Sequence, residues 1–313
     1  MKVVILAGGY GSRMGNLTKH IPKHMLPICG KPILEWNVEF IRDQLKCEEI
    51  IIVTGYKENI IKKHFEEGNK FRVRITYLTQ DIYKNPGLAA ALKCAKNHVD
   101  GDFIVILGDN LYKGEFDNII KRHNELNATA TIHAEEVNEP SRYGVISMKD
   151  VRDSIILRVD EKPENPKSNL VITGFYIFNQ EIFSAIDKIS PSSRGELELT
   201  DAINYLCLHG NVHVDKMNGW RKDIGYAEDL LEASFWIFKN QDIEYENILS
   251  EVDQSNKILQ PVYIGKNCRI INSVIGPNTS IGDNVIIKNS KVSKSIILDD
   301  RKLFNEVVIN QII

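Results

Sequence analysis

Short apolar runs alternate with amphipathic stretches along the first part of the chain. Runs rich in Val and Ile fall at Lys2–Leu6, Glu49–Thr54, Arg72–Leu78 and Phe103–Leu107, and each predicts a strand. Between them, apolar residues return at helical spacing near Ile33–Gln44, Glu58–Glu67, Leu88–His98 and Phe116–Asn124. Strand and helix in turn predict crossovers, hence an α/β fold with a mostly parallel sheet and helices on both faces. Ligands of such sheets sit at the carboxyl ends of the strands. From about residue 128 the texture changes to strand pairs at Ala128–Glu136, Tyr143–Met148, Ile155–Glu161 and Ile172–Asn179. Helical spacing returns at Gln180–Lys188, Glu198–Leu208 and Ala227–Asn240. This half reads as a substrate-binding extension of the same domain.

The C-terminal segment has a period of its own. Gly265 recurs as Gly282, Ile270 as Ile287, Asn272-Ser273 as Asn289-Ser290 and Ile275 as Val292, every pair seventeen residues apart. Within each unit an aliphatic residue returns every five or six positions, at Ile264, Ile270, Ile275, Ile281, Ile287 and Val292. A strand alternates with period two, so this spacing predicts a coil with three short faces of about six residues. The Ile-Gly pairs 264–265, 275–276 and 281–282 resemble the hexapeptide repeat of left-handed parallel β-helices. Only about two coils are predicted, too few to stand alone, so the segment is expected to pack on the main domain or on another subunit. The polar stretch 244–256 reads as a linker. The expected division is a domain over 1–243 and a short β-helix with its tail over 257–313.

Composition narrows the function. Of 313 residues 43% are hydrophobic and 26% charged, which suits a folded globular protein. The formal net charge of −3 argues against a nucleic-acid partner, since such proteins carry a basic surplus. Cys29, Cys47, Cys94, Cys207 and Cys268 are scattered, without CxxC or zinc spacing, and read as free thiols of a reducing cytoplasm. The apolar run at the N-terminus is too short for a signal sequence, and nothing approaches the ~20 apolar residues of a membrane helix. A cytoplasmic protein with no membrane contact is expected.

Candidate chemistry begins at the first strand's end. In Leu6-Ala7-Gly8-Gly9-Tyr10-Gly11-Ser12-Arg13, three glycines in four positions let the backbone approach a phosphate chain, and Arg13 adds a cationic fork. Taken alone, this turn is equally a plain tight turn. Pro22-Lys23-His24-Met25-Leu26-Pro27 and Gly30-Lys31-Pro32 follow at short distance. Together with Asn16-Leu17-Thr18 they resemble the signature of the sugar nucleotidylyltransferases, the nucleotide-sugar pyrophosphorylases. The likeness continues in Gly87-Leu88-Ala89, Leu107-Gly108-Asp109-Asn110, Arg142-Tyr143-Gly144-Val145, Glu161-Lys162-Pro163, Ile172-Thr173-Gly174, the Arg194–Asp201 stretch and Gly219-Trp220-Arg221-Lys222-Asp223-Ile224-Gly225. It spans roughly residues 1–240 and is most similar to the longer, β-helix-bearing glucose-1-phosphate thymidylyltransferases.

The resemblance implies the Rossmann-like nucleotide-diphospho-sugar transferase fold. It also implies attack by a sugar-1-phosphate oxygen on the α-phosphorus of a nucleoside triphosphate, expelling pyrophosphate. It gives the nucleotide to Leu6, Ala7, Gly8, Gly9, Gly11 and Ser12, with Gln80 and Gly87 at the base. It gives the sugar phosphate to Leu88, Tyr143, Gly144, Glu161, Lys162, Thr173 and Arg221. Asp109 and Asp223 become ligands of one Mg²⁺, and Arg13, Lys23 and Lys162 the cations that neutralise phosphate. Those five residues are the catalytic set. Read without the family, each has a plainer role: Arg13 and Lys23 as surface cations, Asp109 as a turn residue, Lys162 as part of a solvated loop, Asp223 as one member of a surface ion pair. His20, His24 and His133 are expected not to be catalytic.

Several positions depart from the family pattern. Ser12 replaces Thr, Asn16 replaces Pro, and Tyr226-Ala227 replaces a small residue followed by Pro. Seven positions separate Gln80 from Gly87 where relatives show five, so the loop Asp81–Pro86 is longer. Arg221 stands where a second tryptophan often faces the sugar, and a cation there would shift sugar preference. dTTP or UTP with a glucose-like sugar phosphate is favoured. CTP or GTP with a modified sugar phosphate is one alternative, and a catalytically silent nucleotide-sugar-binding regulatory paralogue another. A β-helix acyltransferase is a third, weakened by the small coil surface. A homo-oligomer formed through the β-helix is expected.

Overall fold

The computed structural model describes residues 1–150, 152, 154–241 and 255–313. All but the last two residues of the expected linker 244–256 lie outside the described residues. The chain forms two compact units, Met1–Tyr10 with Trp36–Arg221, and Gly11–Glu35 with Lys222–Ile313.

The first unit is built on a nine-stranded sheet. Its strands are β1 (Val3–Ala7), β2 (Glu49–Thr54), β3 (Arg74–Thr79), β4 (Phe103–Leu107), β5 (Ala130–Glu136), β6 (Gly144–Asp150), β7 (Ile155–Glu161), β8 (Leu170–Phe178) and β9 (Val212–Lys216). The order is β3-β2-β1-β4-β8-β5-β9-β7-β6. The first four are parallel, as the alternating pattern predicts. All of β1 is buried, which is why it reads as a continuous apolar run. Beyond β4 the sheet turns mixed: β8 is antiparallel to β4 and β5, β9 is parallel to β5, and β6 and β7 form an antiparallel pair. The second half is therefore the same sheet continued.

The helices α1 (Glu58–Phe65), α2 (Leu88–Lys93), α3 (Asp117–Glu125), α4 (Glu181–Ile186) and α5 (Leu199–His209) belong to this unit. Leu92, Phe183 and Ile203 pack in a core with Val4, Val105 and Tyr176. Three strands lacked a sequence signal: β9, and the short strands Asn110–Gly114 and Gly219–Asp223, which pair with each other. All three are too polar to announce themselves. A register shift between Ile172 and Tyr176 kinks β8. There Gly174 takes φ 82°, and a Cβ would lie 2.9 Å from Leu107 Cδ1.

In the second unit, 3₁₀ turns at Ser12–Thr18 and Lys23–Met25 lead to a minimal hairpin of Pro27–Ile28 with Lys31–Pro32. Helix Ala227–Asn240 holds the hairpin through Ser234, whose hydroxyl lies 3.3 Å from Cys29 Sγ. On the hairpin, a Cβ at Gly30 would fall 2.0 Å from Tyr263 Cζ, so a glycine is required for the Tyr263 ring to sit there.

Residues 257–309 coil through three parallel sheets, an arrangement consistent with a left-handed β-helix. Val262 pairs with Thr279 and Ile270 with Ile287, the seventeen-residue offset of the sequence repeat. The stack then continues past the two expected coils with an offset of sixteen, Ile287 on Leu303 and Val292 on Val308. Leu298 occupies the place of a repeat glycine there, so the extra coil carries no Ile-Gly marker. Aliphatic side chains fill the interior. The corners are left-handed, and most carry Asn, among them Asn267, Asn272, Asn284, Asn289 and Asn305, with φ of 49–59°. Asn amides stack between coils, Asn272 Nδ2 donating to Asn289 Oδ1 and Asn289 Nδ2 to Asn305 Oδ1. Among the described residues no helix is long and apolar enough to cross a membrane.

Candidate active site

In the first unit, buried Leu6 and Ala7 end β1 and the chain turns at Gly8 and Gly9. A Cβ on Gly8 would lie 2.9 Å from Gln80 Oε1 and 3.5 Å from Thr54 O, so glycine is needed for Gln80 to close in. Nothing lies within 4 Å of a Cβ at Gly9. Gln80, 7% exposed, gives both amide hydrogens to the protein: Nε2 donates to Asn85 O at 2.8 Å and to Gly87 O at 3.0 Å. That fixes the amide, with Oε1 turned to the glycine turn. The long loop is ordered from inside by Asp81, whose Oδ1 accepts from Tyr83 N and Lys84 N. At its end Leu197 N donates to Pro86 O and Ala89 N to Leu197 O, while Gly87 at φ 106° leaves no space for a Cβ beside Leu197. Gly8, Gln80 and Gly87 are thus brought together, with Leu88 following at 38% exposure.

A second cluster lies around Asp109, just past the C-terminal end of β4. Asn110 Nδ2 donates to Asp109 Oδ1 at 3.1 Å. The Arg221 side chain is 4% exposed and donates from Nη1 to Asn110 Oδ1 at 2.6 Å and from Nε to Glu135 Oε1 at 2.8 Å. Its guanidinium carbon lies 5.1 Å from the Tyr143 ring centroid. Thr173 is buried. Its hydroxyl donates to His133 O at 2.9 Å and meets His133 Nδ1 at 3.1 Å, and its carbonyl accepts from Tyr112. Burial, and after it the Arg221 charge, hold the His133 imidazole down to about 4, so it is neutral at pH 7.

The antiparallel pair β6 and β7 sets Gly144 opposite Glu161. Lys162 N donates to Tyr143 O, and the residue holds φ 42°, an unfavourable region for lysine. Its ammonium lies 3.3 Å from Glu161 Oε1. Arg194 binds the buried Glu198 through Nε and Nη2 and approaches Glu161 to 3.9 Å. Tyr143, Gly144, Glu161 and Lys162 therefore share one corner, and Arg194 and Glu198 join it.

The remaining candidates lie in the second unit. A Cβ on Gly11, at φ 70°, would be 2.9 Å from Lys23 Cβ, so the buried Lys23 packs directly over that glycine. Arg13 stacks on Tyr226 at 5.2 Å. Around Gly225, a Cβ would find Arg13 Nη1 at 3.6 Å, Asp229 Oδ2 at 3.6 Å and Asp223 Oδ2 at 3.7 Å, so these three side chains converge. Asp229 organises the loop: Oδ2 accepts from Gly225 N and Tyr226 N, and Oδ1 faces Lys222 at 2.9 Å. Lys222 also pairs with Glu232. Asp229 was missed in the sequence, although an acidic residue at the third position of a helix is a known capping signal. The thiols are free, and burial pushes Cys29 up to about 12 and Cys207 to about 11, far from a thiolate nucleophile.

These elements define a nucleotide-handling α/β enzyme, and residues 2–239 match the family described as Nucleotidyl transferase, to which the chain belongs. A UTP–glucose-1-phosphate uridylyltransferase, AglF of Haloferax volcanii, is 43% identical over 236 residues, 74% of this chain and 95% of that protein. A glucose-1-phosphate thymidylyltransferase of Streptomyces antibioticus is 32% identical over 278 residues, 88% of this chain and 76% of that protein. The crystal structure of UDP-glucose pyrophosphorylase complexed with UDP-glucose superposes with a TM-score of 0.69 at 29% identity, covering 77% of this chain and 99% of that one. Nucleotidyltransferases of this family generally use a divalent metal.

Proposed function

We propose that this protein transfers a thymidylyl or uridylyl group from dTTP or UTP to a glucose-like sugar-1-phosphate, with Mg²⁺, as a cytoplasmic homo-oligomer. The observation that carries the base is the pinned Gln80 amide. With both hydrogens on loop carbonyls, only Oε1 is left, and an acceptor suits the N3–H of thymine or uracil. Cytosine has no hydrogen at N3. Asp109 and Asp223 offer hard carboxylate oxygens, which fit Mg²⁺.

When bound, the ion supplies charge neutralisation on the phosphates. Arg13 and Lys23 hold the triphosphate, Lys162 and Tyr143 hold the sugar phosphate, and the turn at Gly8 and Gly9 lets the nucleotide approach the backbone. A phosphate oxygen of the sugar-1-phosphate bonds to the α-phosphorus as the bond to pyrophosphate breaks, and no protein nucleophile is needed. Crossing the common nucleoside triphosphates with several sugar-1-phosphates, and reading pyrophosphate release, tests this. The expected result is fastest release with dTTP or UTP and glucose-1-phosphate; silence with every pair sinks the reading.

Residues 1–243 make the catalytic part in this proposal, and 257–313 the assembly part. On the last coil Val307 is 69% exposed and Ile309 44%, an apolar edge suited to a second copy. Val307→Glu with Ile309→Glu should lower the mass measured by light scattering; an unchanged mass places the interface elsewhere.

A further inference from the structure

The family resemblance sets Arg221 at the sugar substrate, where a cation would shift sugar preference, but its surroundings assign it a different task. The guanidinium is almost wholly buried and its donors go to protein groups, Nε and Nη2 to Glu135 Oε1 and Nη1 to Asn110 Oδ1. Buried charge of this kind is kept in place by its partners and is costly to uncouple from them.

The Asn110 contact has a directional consequence. A primary amide carries its oxygen and its NH₂ on opposite sides of one carbon. With Oδ1 held by a cation at 2.6 Å, Nδ2 must point the other way, and it donates to Asp109 Oδ1 at 3.1 Å. A flipped amide would set NH₂ against the guanidinium and oxygen against the carboxylate, exchanging two hydrogen bonds for two repulsions. Arg221 therefore fixes the polarity of the amide, and the amide fixes the rotation of the Asp109 carboxylate. Glu135 cancels the Arg221 charge, so no net positive charge is left buried beside a carboxylate that is to take a cation.

We propose that Arg221 is a positioning residue: through Asn110 it sets the Asp109 carboxylate for a divalent cation, and it does not bind the sugar phosphate. The inference rests on the metal role of Asp109 proposed above.

The test uses the full-length protein and two binding readouts, Mn²⁺ by electron paramagnetic resonance and glucose-1-phosphate by calorimetry without metal. Partners of this kind alter metal affinity by about ten- to a hundredfold, and that loss is expected in Arg221→Gln, Arg221→Lys and Asn110→Ala. Lysine keeps the charge but cannot hold Glu135 and Asn110 in one planar fork. Glucose-1-phosphate affinity should be essentially unchanged in all three. Weaker glucose-1-phosphate binding in the Arg221 variants, with Mn²⁺ affinity intact, overturns the proposal. Asn110→Ala leaves the Arg221–Glu135 pair whole, so it decides alone if the Arg221 variants do not fold. Asp109→Asn separates the two readings: if it binds Mn²⁺ like the wild type, the metal reading fails and takes this inference with it. If it loses Mn²⁺ while the Arg221 and Asn110 variants keep it, only this inference fails.

Discussion

The first four strands of the main sheet and the sheets of the C-terminal coil are parallel alike, yet the two regions use side-chain hydrogen bonds in opposite ways. In the coil the recurring links join a residue to its copy one turn on: Asn272 to Asn289 to Asn305, or Ser290 N to Ser273 Oγ and Glu306 N to Ser290 Oγ. In the sheet unit the links beyond the strand ends join unlike groups. Gln80 ties down a loop, and Arg221 and Asn110 converge on Asp109. Repeated links remove freedom evenly and leave every corner alike. Unlike links aim one particular group, and that is where chemistry is to be expected.

The comparison is most exposed at its two poles. Asp109→Asn should lower kcat/KM for pyrophosphate release by about a thousandfold, because a carboxylate that neutralises transition-state charge is worth several kcal/mol. Its urea midpoint should hardly move. Ile287→Ala should do the reverse. Ile287 is fully buried in the coil interior, and its loss should cost about 3 kcal/mol in urea unfolding with turnover at 25 °C retained. If Ile287→Ala instead abolishes turnover without lowering stability, the division of labour is wrong.

A smaller effect tests the floor of the sheet unit. His133 is neutral in the fold because burial holds its imidazole down to about 4, whereas the unfolded chain protonates near the ordinary value. Between those two values the unfolded state binds more protons, so stability present at pH 7 is lost as the pH falls. From pH 7 to pH 5 this loss should reach about 2 kcal/mol. His133→Asn should remove most of it, leaving the share from His123, which burial also lowers. Denaturation midpoints at the two pH values, wild type against variant, measure the difference. A variant that loses as much stability as the wild type between pH 7 and pH 5 would show that His133 titrates normally.

The two regions also differ in how far they could be read from the sequence. β2 and β4 were legible residue by residue, because strands covered on both faces must be apolar throughout. The seventeen-residue repeat was legible because every coil asks the same thing of the same position. Where the coil drops to sixteen, Leu298 stands for the glycine and the pattern dissolves, although the fold continues. The glycine turn, Asp109 and Lys162 stood out as motifs, but their partners did not. Arg221 and Glu135 are 86 residues apart, and no local rule says that such a charge is buried. The orientation of Gln80 is likewise a fact of the folded loop, invisible in the spacing that flagged it.

Left-handed backbone occurs in both regions, and substituting it there tests the comparison at the smallest scale. Asn289 holds φ 51° at a corner and makes two ladder bonds, and Asn is among the few side chains that tolerate that region. Asn289→Ala should therefore cost about 1 kcal/mol, and Asn289→Gly less, because glycine removes the strain and loses only exposed hydrogen bonds. Lys162 holds φ 42° much as the coil corner Lys294 holds φ 51°, so conformation alone does not set it apart; what distinguishes it is the phosphate-binding task proposed for its ammonium. Lys162→Gly should then raise the urea midpoint while pyrophosphate release collapses, whereas Asn289→Gly should shift the midpoint slightly down and leave release untouched. Should Lys162→Gly release pyrophosphate at the wild-type rate, the strained lysine would be no more functional than a coil corner, and the contrast between the two regions would fail at that residue.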